Sequence, residues 1–118
     1  MNKIIRSAGC FIFNLPTNKY VLVRSKRNNE WGFPKGHFDP TSDKTLLDTA
    51  LRETMEETNL KVTIPDISIN TEMNYKLYNG KDKSVLLYLG LINYSDEEAL
   101  KGIMKCKDDE VDQYVLLK

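Results

Sequence analysis

Residues 43–59 read DKTLLDTALRETMEETN, and the fold is decided there. Leu47, Ala50, Leu51, Met55 and Thr58 recur at three- and four-residue spacing, the period of an amphipathic helix and not of a strand. Ser42 or Asp43 supplies an N-cap, and Asn59 tolerates the left-handed conformation that closes a helix. At about 100° per residue, Glu53, Glu56 and Glu57 share one arc of roughly 100°, beside the apolar stripe and not opposite it. Carboxylates at i, i+3 and i+4 repel one another, by a few tenths of a kcal/mol per exposed pair and more when buried, so the cluster asks for a compensating cation. Hard divalent ions, Mg²⁺ or Mn²⁺, suit oxygen donors and share their remaining positions with phosphates. A solvated acidic face, with Arg52 pairing Glu56 at i+4, is the plainer reading of the same spacing.

Just upstream, Trp31-Gly32-Phe33-Pro34-Lys35-Gly36 has the alternating glycines and rigid proline of an ordered loop. Such a loop places backbone carbonyls and Lys35 near the acidic arc, offering a further metal ligand and a phosphate contact. Trp31 reads as a packing anchor for this loop. Around this centre the chain is rich in strand signals. Ile4 to Phe13 and Tyr20 to Val23 form a hairpin across the turn residues Asn14 to Asn18. Val62 to Ile64 reads as a short strand ended by Pro65, and Ile67 to Tyr78 as a longer one. Asn79-Gly80 signals a hairpin turn into Ser84 to Asn93, whose run Val85 to Leu89 marks a central strand. Asp96 to Met104 is a weaker helical or turn segment, and Tyr114 to Leu117 a last strand. The class is α+β in one domain spanning residues 1–118.

Composition narrows the function. The 118 residues carry 17 Lys plus Arg against 17 Asp plus Glu, so the basic excess of a phosphate-neutralising DNA binder is absent. No stretch approaches the roughly 20 apolar residues of a membrane span, and the start lacks a signal-peptide core, so a soluble, cytoplasmic protein is expected. Cys10 and Cys106 have no metal-site spacing and read as reduced thiols.

The stretch GHFDPTSDKTLLDTALRETMEETNL, preceded by WGFPK, resembles the signature of the Nudix hydrolase family. The resemblance implies an α/β/α sandwich with a mixed sheet, its C-terminal helix short or absent in this chain. It implies that Arg52 is an orienting ion-pair partner, that Glu56 and Glu57 bind the divalent metal, and that Glu53 is a further ligand or the general base. Gly36 would offer its carbonyl oxygen to the same ion. A divalent ion lowers the pKa of water, and a nearby carboxylate can take the remaining proton as water attacks phosphorus. Asn59 replaces the family's glycine after the Glu pair, and two further departures lie before the helix. Gly36 lies sixteen positions before Arg52, against fourteen in the family, and neither Ser42 nor Lys44 supplies the family's early Glu, for which Asp43 or Asp39 could stand in.

WGFPKGHFDP followed by TALRETMEET is most similar to the subgroup of asymmetric diadenosine tetraphosphate hydrolases. By that likeness Tyr75 stacks on an adenine, Lys83 and Lys35 contact the phosphate chain, His37 contacts substrate, and Glu110 adds a metal ligand from outside the helix. The expected partner is a small nucleoside polyphosphate bound by a monomer, with DNA and membranes excluded and an RNA 5′ end kept as an alternative substrate. A nucleotide-binding module with a degenerate signature is the non-enzymatic alternative.

Overall fold

The computed structural model describes residues 5–26, 29–77, 79–105 and 111–117. The β-branched and aromatic run at the start forms strand β1 (Ile5–Asn14), which turns back antiparallel into β2 (Lys19–Ser25) with Ile12 opposite Val21. Asn14 locks the turn end of this hairpin, accepting the Tyr94 N–H at 3.0 Å and donating to the Tyr94 carbonyl at 2.8 Å. The Trp31–Gly36 segment, expected as a loop, contributes two short strands. β3 (Trp31–Gly32) pairs with β2, and β4 (Lys35–His37) pairs with β1. Pro34, lacking an N–H, separates them, and its carbonyl accepts the Cys10 N–H at 3.1 Å. Gly9 permits that approach, because a Cβ there would overlap the Pro34 carbonyl oxygen.

Helix α1 (Leu46–Thr58) follows, then β5 (Asn70–Lys76), β6 (Asp82–Ile92), α2 (Asp96–Met104) and β7 (Val111–Leu117). The sheet runs β3-β2-β1-β6-β5, with β4 also on β1 and β7 also on β2. β6 lies between β1 and β5, parallel to the first and antiparallel to the second, so the sheet is mixed and the run Val85 to Leu89 is central as expected. The β5–β6 hairpin turns at Gly80, φ 83°. Val62 to Ile64 does not form a strand: only Thr63 bridges to Leu91. The second helix precedes the final strand. Among the described residues no helix is long and apolar enough to cross a membrane.

Both helices feed one core. Ala8, Cys10 and Ile12 of β1 meet Ala50 of α1, Tyr88 and Ile92 of β6, and Ala99 and Ile103 of α2. The opposite face of β1 carries Phe11, which meets Phe33 edge to face, and Phe13, which packs at a tilt on Tyr20, at centroid separations of 6.0 and 5.1 Å. The face that α1 buries differs from the expected stripe. Thr49, Ala50, Glu53, Thr54, Glu57 and Thr58 are buried, while Leu51 and Met55 are 37% and 45% exposed. Size decides this: Ala50 and Thr54 lie against the small residues of β1, so the helix comes close to the sheet and carries its carboxylates inward.

Candidate active site

Helix α1 begins later than Ser42 or Asp43. Its N-cap is Thr45, which forms a reciprocal capping box with Asp48. Asp43 is engaged elsewhere, which is why it does not cap. Its carboxylate accepts the Asp39 N–H at 3.0 Å and the Thr49 hydroxyl at 2.9 Å, and it faces the guanidinium of Arg52. At the other end Asn59 takes the left-handed conformation, φ 57°, as expected, and its side chain donates to the Gly102 carbonyl of α2 at 3.0 Å.

Arg52 is the hub of the site. It grips Asp43 bidentately, Nε to Oδ1 at 3.0 Å and Nη2 to Oδ2 at 2.8 Å. Nη2 also donates to the His37 carbonyl at 3.0 Å, and Nη1 reaches Glu53 at 2.9 Å and Glu56 at 3.3 Å. One guanidinium therefore joins the loop before the helix, strand β4 and two carboxylates of the signature.

The Arg52 guanidinium holds the Asp43 carboxyl well below the usual carboxylate range, with the Asp39 and Thr49 donors adding to it against the effect of burial. A carboxylate whose folded pKa is depressed contributes stability above its unfolded value near ~4 and loses it as the pH falls further. Asp43→Asn should therefore lower the thermal midpoint at pH 7. The gap to wild type should narrow progressively below about pH 4, measured by thermal melts from pH 7 to pH 2.5. A gap constant across that range would detach Asp43 from acid unfolding.

Glu53 and Glu57 are buried, 8% and 5% exposed, and both converge on β4. The Glu53 carboxylate occupies the space a Cβ on Gly36 would fill, so only glycine leaves it room. The Lys35 main-chain N–H donates to Glu57 Oε1 at 3.3 Å. Glu56 stands on the same arc but is exposed. This set offers only oxygen donors to a cation, the chemistry of a hard divalent ion. Among the described residues no three His, Cys, Asp or Glu side chains form a ready-made metal cage.

The structure thus brings Gly36, Lys35, Arg52, Glu53, Glu56 and Glu57 together. His37 lies on β4 with its side chain exposed and joins the cluster through its carbonyl. Lys83 stands on β6, opposite Ile5 of β1 and Tyr75 of β5. The Tyr75 side chain, Glu110 and Cys106 lie outside the described residues. Trp31 is 45% exposed and so is not the packing anchor expected; Pro34, buried against β1, serves the loop in that way. Cys10 is buried and free, and burial raises its thiol pKa, which makes it unreactive.

The NUDIX domain family matches residues 3–118, and the acidic helix lies wholly within that match. The chain belongs to this family. Its Nudix domain is 32% identical over 105 residues to the asymmetrical bis(5′-nucleosyl)-tetraphosphatase of Rattus norvegicus, covering 80% of this chain and 69% of that protein. It is 33% identical over 98 residues to human nucleoside diphosphate-linked moiety X motif 6, covering 76% of this chain but only 30% of that longer protein. Among solved structures, a C. elegans Ap4A hydrolase binary complex superposes with a TM-score of 0.75 at 26% identity, covering 97% of this chain and 80% of the other. The Nudix domain described here is therefore that of a hydrolase acting on phosphoric anhydride bonds, in a family that uses divalent metal ions.

Proposed function

We propose that this Nudix domain hydrolyses diadenosine tetraphosphate to ATP and AMP with Mg²⁺ or Mn²⁺ as its cofactor. The observation that carries the reading is the pair of buried carboxylates, Glu53 and Glu57, seated on the backbone of Gly36 and Lys35. The likeness to tetraphosphatases supports the choice of substrate. Glu56, Glu57 and the Gly36 carbonyl would hold the cation, with Glu110 as a further ligand. When bound, that ion neutralises phosphate charge and acidifies the attacking water. Glu53, fixed by Arg52 and enclosed by Gly36, accepts the proton of the water as oxygen attacks a bridge phosphorus and the P–O–P bond breaks. Lys35 and Lys83 neutralise the phosphate chain, His37 contacts it, and Tyr75 stacks on one adenine.

Turnover should be assayed on a panel of dinucleoside polyphosphates, nucleoside triphosphates, inositol pyrophosphates and 5′-triphosphate RNA, with each metal and with EDTA. Equimolar ATP and AMP from diadenosine tetraphosphate, abolished by EDTA, is the expected result. Preference for nucleoside triphosphates or RNA 5′ ends would overturn the substrate. Binding without turnover of any compound would overturn the enzymatic reading.

A further inference from the structure

The geometry points to Ser7 as a phosphate-binding residue, an assignment that rests on the polyphosphate reading above. Ser7 lies in β1, opposite His37 of β4 and Val85 of β6. Side chains alternate along a strand, and residues paired across a ladder share a face. Ala8 and its partner Gly36 face α1, where Glu53 sits, so Ser7 and His37 face the other way. Lys35 shares that side, its Cβ lying 2.6 Å from the position a Cβ on Gly9 would take. Lys83 precedes Val85 by two residues on β6 and has the same parity. On the face of the sheet opposite the metal-binding carboxylates, Ser7 is therefore flanked directly by His37 and by the buried Val85, with Lys35 and Lys83 at the next positions on the same face.

Ser7 is only 2% exposed, and its Oγ has no hydrogen-bond partner among the described residues. A buried hydroxyl left without a partner is unfavourable, and this one has no evident part in holding β1, whose backbone is paired by β4 and β6. The polar members of that face suit an anion: a hydroxyl donor beside an imidazole, with a lysine one same-face position away on each flanking strand, matches a phosphate oxygen. The side chains over it must move to admit one. Lys35 and His37 belong to a three-residue strand that, among the described residues, pairs only with β1. A phosphate chain crossing the β4 edge would thus touch the metal carboxylates on one face and Ser7 on the other.

The test uses Ser7→Ala, which removes the donor, and Ser7→Cys, which keeps the volume with a weak donor. Inorganic tripolyphosphate is titrated calorimetrically in EDTA, and KM and kcat are measured on diadenosine tetraphosphate with Mg²⁺. Both variants should bind tripolyphosphate about ten-fold more weakly and show a matching rise in KM but not a fall in kcat, with a thermal midpoint equal to or above wild type. Unchanged binding and KM, absence of tripolyphosphate binding by wild type, or unfolding of both variants would overturn the assignment. Ser7-dependent binding by a wild-type protein that hydrolyses no dinucleoside polyphosphate would overturn the proposed function and leave Ser7 in place.

Discussion

Glu57→Gln should lower kcat on the best substrate by about 10³-fold while leaving KM within about three-fold. The amide preserves the volume of a side chain that is 5% exposed, and its oxygen can still accept the Lys35 N–H. What it removes is the negative charge that would draw in a cation. In EDTA the variant should melt at or above the wild-type temperature, since a buried carboxylate close to others is itself unfavourable. Adding Mg²⁺ should then raise the melting temperature of wild type and not of the variant, because only a state-selective ligand stabilises by mass action. A variant with wild-type kcat would remove Glu57 from the metal site.

The parts of this fold legible in the sequence are those governed by neighbours along the chain. Asn59 closes α1 and Asn79-Gly80 turns the β5–β6 hairpin because their conformational preferences act within a few residues. α2 spans Asp96–Met104 as expected, with Ser95 capping it. Long-range contacts account for the differences. Asp43 is a good cap by type, yet Arg52, nine residues on, captures it, and the helix starts instead at Leu46. Leu51 and Met55 are apolar at helical spacing, yet the small residues Ala50 and Thr54 give the closer fit to β1 and turn those two outward. The carboxylate cluster was visible in RETMEE, but the burial of Glu53 and Glu57 was not, since it depends on Gly36 having no side chain. Ser7 is illegible in the sequence because its setting is also long-range: a serine in a strand reads as an ordinary alternating residue until β4 and β6 flank it.

Arg52→Lys should reduce kcat by about 10²-fold and lower the thermal midpoint in EDTA, although the charge is kept. Arg52 bonds both oxygens of Asp43 while reaching the His37 carbonyl, Glu53 and Glu56. An ammonium is a single point with three donors and cannot span those partners, so Glu53 loses the contact that fixes it and the loop at Asp43 loses its anchor to the helix. Extra Mg²⁺ should not restore the rate, because the defect lies in the position of the base and not in metal occupancy. Arg52 acts as a positioning residue, and that role can be separated from a general loss of stability by a double-mutant cycle with Asp43→Asn. If the two residues act through their shared bond, the double variant should be scarcely slower or less stable than Arg52→Lys alone. Losses that add in full would mean that Asp43 and Arg52 support the site independently, and Arg52 would not be its hub.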